Sequence, residues 1–335
     1  MGIRGAVLAF AALCLSASTG LAATAQPDAP QDALDDLFDF NAVDWHVAPQ
    51  ISVAAGIGYM TDSAREMVYD TLGGARISQL NWKIQDALVL RGAATVHLTS
   101  WLSASLGGWT KIDSDNLMDD YDWLVPPYTQ WSDHSHHPDT QLNKANQGDL
   151  SLAARLYNDG GWSVSAHAGY QWTGFKWSAY GGHYVYSVFG FRDYVGDFPA
   201  GELGITYSQT FKTPYLGVSA TYDIDDDWQL SAALRGSPWV VASSDIDHHV
   251  LRQLIFHDKA NNSRMIALSA GAAYALNDRT QIGATLEYQD YTLGKGPTRM
   301  LDQTTGTTYV FPGDASGISN RTFSAMLDIR YRFEP

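Results

Sequence analysis

Trp162-Ser163-Val164-Ser165-Ala166-His167-Ala168-Gly169-Tyr170-Gln171-Trp172 alternates without a break. Trp162, Val164, Ala166, Ala168, Tyr170 and Trp172 fall on one side, and Ser163, Ser165, His167, Gly169 and Gln171 on the other. A period of two belongs to a strand with two different surroundings, because successive side chains leave a pleated backbone on opposite faces. The pattern recurs along the chain. It gives Ile51, Val53, Ala55, Ile57 and Tyr59, then Leu88, Leu90, Ala94, Val96 and Leu98 with Arg91 and His97 opposite. It gives Leu150, Leu152, Ala154 and Leu156 opposite Ser151 and Arg155, and the runs Ile266 to Tyr274 and Ile282 to Tyr288. Phe323, Ala325, Leu327, Ile329, Tyr331 and Phe333 close the series, facing Ser324, Asp328, Arg330 and Arg332.

A soluble sandwich also alternates, with its apolar face inward. Two features favour a membrane barrel with a polar lumen. The polar faces repeatedly carry Arg, Glu, Asp, His and Gln, and the connections alternate in length. Short turns fall near 99–100, 157–161, 224–227 and 277–279, and long ones near 117–146, 181–200, 245–263 and 294–320. The expectation is an all-β, ten-stranded antiparallel transmembrane β-barrel projecting beyond the outer membrane. Its strands are placed near 49–69, 72–98, 101–116, 146–157, 161–180, 200–224, 227–243, 264–277, 279–293 and 321–333. This treats Gln85-Asp86 and Pro214 as interruptions of long strands rather than turns.

Composition agrees. The 335 residues include 21 Lys+Arg against 36 Asp+Glu, for a net charge of -15, which argues against a nucleic-acid partner. Only 17% of residues are charged, against about 25% in ordinary globular chains. No apolar stretch beyond the first 25 residues is long enough for a bilayer helix. Met1 to Arg4 read as a basic n-region, Ala6 to Leu15 as an apolar one, and Ala23-Thr24-Ala25 as a small-x-small cleavage site. The expected organisation is a cleavable signal peptide over 1–25, a Pro/Asp-rich lead over 26–47 and one barrel domain over 48–335. The single cysteine, Cys14, falls in the signal. Leu13 before it is too large for a typical lipoprotein processing site.

Numbering the strands from the periplasm puts two acidic clusters on one external rim: Asp119-Asp120-Tyr121-Asp122-Trp123 and Asp245-Ile246-Asp247-His248-His249. On extended chain Asp120 and Asp122 share a face, as do Asp247 and His249. His249 would act as general base, oriented by Asp247. A water between the imidazole and the Asp120/Asp122 pair would attack a peptide carbonyl. Adjacent like charges raise one carboxyl pKa, so one member would hold a proton. Acidic loops can also be merely solvated or bind calcium. There is no HExxH, no GxSxG elbow and no mature cysteine nucleophile, and His134, His136 and His137 make a weak ligand set. A catalytically inactive surface adhesin and a passive porin stand as alternatives.

The residues resemble the omptin family of outer-membrane aspartate/histidine-dependent proteases. The matching stretches are Gly74 to Lys83, Asp120-Tyr121-Asp122-Trp123, His137 to Asn146, Gly190-Phe191-Arg192-Asp193 and Ser243 to His249, in order over about residues 48–333. The resemblance implies a surface endopeptidase cleaving at basic or dibasic sites, with Asp120, Asp122, Asp247 and His249 as catalytic residues. It places the acids for a basic side chain at Glu66 and Asp245, and a family serine at Ser135, for which no close base is evident. It implies no metal or organic cofactor but a lipopolysaccharide requirement. Arg192 is the retained lipopolysaccharide contact, whereas Trp172 and Gly174 stand at charged positions of that motif and Lys176 is a candidate replacement. Expected partners are basic peptides or proteins and outer-membrane lipid, with the chain acting as a monomer. The net negative charge would draw cationic peptides, less strongly as salt rises.

Overall fold

The alternating segments become strands whose apolar sides point outward. The structure, a computed structural model, describes residues 50–240 and 242–333, without the side chains of 242–245. The expected signal peptide and lead lie outside the described residues. Every regular element described is a β-strand: β1 (Gln50–Tyr69), β2 (Arg76–His97), β3 (Leu102–Asp122), β4 (Asp133–His137), β5 (Asp139–Asp159), β6 (Trp162–Tyr180), β7 (His183–Tyr186), β8 (Tyr194–Asp197), β9 (Leu203–Asp223), β10 (Trp228–Ser237), β11 (Ala242–His249), β12 (Leu254–Ala260), β13 (Met265–Asn277), β14 (Thr280–Asp302) and β15 (Thr307–Phe333).

Ten of these close a ring by antiparallel pairing, in the order β1, β2, β3, β5, β6, β9, β10, β13, β14, β15 and back to β1. Closure removes both sheet edges, leaving no unpaired backbone in the lipid-facing wall. The expected ten strands are therefore present. Gln85-Asp86 is a register irregularity within β2, and Pro214 sits opposite Tyr170 within an unbroken β9.

The long connections are corrected. Much of 117–146, 181–200, 245–263 and 294–320 is strand: β3 runs on to Asp122, β14 to Asp302, and β15 begins at Thr307. Five extra strands build this outer extension, where β4 pairs β3 and β7, β7 pairs β8, and β11 and β12 pair each other, β9 and β14. The expected strand over 227–243 is likewise two, ending at Ser237 before Pro238 and resuming at Ala242. Above the lipid belt the outward residues turn polar, so the alternation loses its contrast although the strand continues.

Inside, the lumen is filled at mid-height. Trp82, Trp177 and Tyr207 stack together and pack with Met60, Leu80, Met118 and Phe175, all almost fully buried. Beside them Gln171 donates to Gln289 (2.8 Å) and Tyr291 (3.0 Å), and Arg235 pairs with Glu287 at 2.7 Å. A passive porin needs a continuous aqueous lumen, and this packing blocks one. It forms instead a rigid floor beneath the outer mouth.

Candidate active site

Strand register sets the site. On β3, Asp120 lies between Leu80 and Ser135, and Asp122 between Ser78 and Asp133. On β11, Asp247 lies between Tyr207 and Phe256, and His249 between Ile205 and Leu254. Each pair is two residues apart and so shares a face. Asp120, Asp122 and His249 line one cleft of about 350 Å³, together with Ser135, His137 and Arg252, and Asp247 lies behind His249. These residues were expected on irregular loops; continuous strands carry them, which holds them more firmly.

Asp247 Oδ2 holds His249 Nε2 in a close polar contact, and both residues are buried. With Nε2 engaged by the carboxylate, Nδ1 is the nitrogen left toward the cleft. Arg252 Nη2 reaches that atom at 2.8 Å and stands 4.0 Å from Asp120 Oδ2. Opposite, Asp120 is buried and receives a long hydrogen bond from Ser78 Oγ at 3.4 Å. Burial pushes the Asp120 carboxyl well above its usual range, the Asp122 charge pushes it further, and Arg252 opposes both. Asp122 is also raised, chiefly by burial, with Ser78 and Arg252 opposing. Because the Asp122 charge disfavours ionisation of Asp120, one of the two keeps a proton more readily than both carry charge.

Asp119, the neighbour of Asp120, faces the other way. Its Oδ1 accepts from His136 Nδ1 at 2.9 Å and His134 Nε2 at 3.3 Å, outside the cleft. Glu66 is buried on β1, opposite Leu80, and thus two strands from Asp120 at the same height. Asp245 pairs in register with Gln209 and Asp258; its side chain lies outside the described residues. Arg192 gives Nε and Nη2 to the Trp131 carbonyl (2.9 and 2.6 Å) and stacks 3.4 Å above that ring, so its guanidinium clasps the outer rim.

Beside Ser135, where the sequence made no base evident, the structure places a histidine. His137 Nε2 lies 2.9 Å from its Oγ, and His137 Nδ1 donates to the Gly181 carbonyl at 2.6 Å. That second bond fixes the tautomer, so Ser135 Oγ–H donates to Nε2. Gly181 and Gly182, at φ 50° and 106°, turn the chain into β7 and bring that carbonyl close. A side chain on Gly182 would collide with the His136 carbonyl. Period two in Ser135-His136-His137 already put Ser135 and His137 on one face. Tyr186 and Arg252 gave no such signal; burial and then the Asp120 charge push the Tyr186 phenol up to about 12. Among the described residues, no group of three or more His, Cys, Asp or Glu side chains is arranged to hold a metal.

Comparison with known proteins identifies the family and the fold. The Omptin family model matches residues 47–333. The chain is 38% identical over 299 residues to "Plasminogen activator" of Yersinia pestis, covering 88% of this chain and 94% of that one. It is 33% identical over 298 residues to "Outer membrane protease OmpP" of Escherichia coli (strain K12), covering 88% and 93%. The crystal structure of outer membrane protease OmpT from Escherichia coli superposes with a TM-score of 0.81 at 32% identity, covering 85% of this chain and 97% of that one. With a closed barrel and an acidic, histidine-bearing cleft at its mouth, the chain belongs to the Omptin family and is an outer-membrane endopeptidase.

Proposed function

We propose that this endopeptidase cleaves basic or dibasic peptides by attack of an activated water. The observation that carries this is His249, held by buried Asp247, opening on the same cleft as buried Asp120 and half-buried Asp122. His249 Nδ1 takes a proton from water as its oxygen bonds to the peptide carbonyl carbon. Asp247, on Nε2, stabilises the resulting imidazolium. The protonated member of the aspartate pair donates to the oxygen that gains charge. The C–N bond then breaks, and the proton on His249 passes to the leaving amine. Glu66 and Asp245 supply the negative charge for a guanidinium or ammonium group before the scissile bond. Fluorogenic peptides containing Arg-Arg, Lys-Lys or neutral pairs test this with folded wild type and His249→Ala. Turnover confined to the basic peptides and lost in the variant is expected; equal turnover in both proteins rejects it.

Ser135 as nucleophile is the second reading, favoured by its hydrogen bond to His137. Against it, Nδ1 of His137 rests on a neutral carbonyl rather than a carboxylate, so a developing imidazolium there lacks a counter-charge.

For lipopolysaccharide, Lys144, Lys176 and Lys212 are the better candidates than Arg192. All three are exposed on adjoining strands β5, β6 and β9, Lys144 opposite Lys176 and Lys212 opposite Trp172. Lys144 also lies over the Trp172 ring. Like charges directly across a sheet repel, and a bound polyanion would offset that.

A further inference from the structure

Arg252 occupies the place where the reaction needs open space. It lies between β11 and β12, where Gln253 adopts φ 54°. Its guanidinium covers the one His249 nitrogen not engaged by Asp247, at 2.8 Å, and stands 4.0 Å from Asp120. Among the described residues lining the cleft, Asp120, Asp122 and Asp133 are acids and Arg252 is the one lysine or arginine. An imidazole nitrogen that accepts from a guanidinium has no lone pair left for a water. The Arg252 side chain is nonetheless 57% exposed, and its 4.0 Å approach to Asp120 is long for an ion pair. It rests in the cleft without being locked there.

We propose that Arg252 is a built-in, displaceable occupant of the active cleft: it caps His249 Nδ1 in the resting enzyme and must swing out before water is activated. This rests on His249 being the base. An incoming peptide, above all a cationic one, takes over the acidic surroundings that hold the guanidinium. Because only the uncapped fraction binds productively, apparent affinity falls by that fraction, while the bound complex turns over normally.

Two independent measurements on the full-length protein test this, each with Arg252→Ala and the length-preserving Arg252→Gln. In steady-state cleavage of a basic peptide, KM should fall by about three- to tenfold with kcat held. Added guanidinium chloride at low millimolar concentration should then raise KM more in the variants than in wild type. A drop in kcat, an unchanged or raised KM, or restored activity on adding guanidinium would overturn the proposal, because each marks Arg252 as a supporting group. The second measurement needs no turnover. Carbethoxylation of His249 by diethyl pyrocarbonate, followed by mass spectrometry, should be several-fold faster in both variants. Equal rates in wild type and variants would overturn the capping contact. If His249→Ala stays active, the base assignment fails, and the modification rates still decide whether Arg252 caps the ring.

Discussion

Asp119 and Asp120 are adjacent on β3 and end in opposite surroundings. Asp119 turns to the outer side of the extension, where burial raises its carboxyl but hydrogen bonds from His134 and His136 more than offset this and bring it below its usual range. Asp120 turns into the cleft, where burial and Asp122 raise it and Arg252 is the main opposing charge. One carboxylate is a satisfied structural anion. The other is held where a proton is easily gained. Pleat direction, a single step along a strand, separates structural from chemical aspartate, and composition alone would have weighted them equally.

The largest expected effect follows from breaking the inner side. His249→Ala or Asp120→Ala should lower kcat by about 10²- to 10⁴-fold, the usual worth of a positioned acid or base. Asp119→Ala should stay within a few-fold in the same peptide assay. Comparable losses in Asp119→Ala and Asp120→Ala would erase the distinction between the faces.

The electrostatics of the inner pair sharpen it further. Asp122→Asn removes a neighbouring negative charge, so the elevated Asp120 titration should move to lower pH; Arg252→Gln removes a positive one and should move it higher. Both are read from the pH dependence of kcat/KM or from carboxyl infrared titration. A shift of either in the opposite direction would show that other groups set the Asp120 proton affinity. Ser135→Ala should cost less than about tenfold, since removing a supporting hydrogen bond is worth about 0.5–1.5 kcal/mol. A loss matching that of His249→Ala would turn the assignment to serine attack. A narrower effect, confined to selectivity, is expected at Glu66. Glu66→Gln should reduce the preference for Arg over a neutral residue by about tenfold, or ~1.4 kcal/mol, with little change on neutral peptides. An unchanged preference removes Glu66 from the pocket.

The lower barrel was legible because lipid and lumen give its two faces opposite chemistry: Trp162, Val164 and Tyr170 against Ser163, His167 and Gln171. The ten-strand count followed once Gln85-Asp86 and Pro214 were taken as interruptions of long strands rather than turns. The extension beyond residue 116 was misread as loop because outward Asp119 and inward Asp120 on β3 are both acidic and no longer contrast, although the strand continues to Asp122. Site legibility split in the same way. Asp120/Asp122 and Asp247/His249 were visible as two-residue spacings within one strand. Tyr186 and Arg252 reach the cleft by folding of segments far apart in sequence or by a turn, and no local period marks them. Ser135–His137 had the spacing, but its hydrogen bond depended on the Gly181 carbonyl fixing the imidazole tautomer.

The most direct test compares peptide cleavage by folded wild type, His249→Ala and Asp119→Ala, with barrel integrity checked by circular dichroism. Robust turnover by wild type and Asp119→Ala, with a loss of at least about 100-fold in His249→Ala, is the expected result. Undiminished turnover by His249→Ala would contradict the central claim that the inward-facing dyad activates the attacking water.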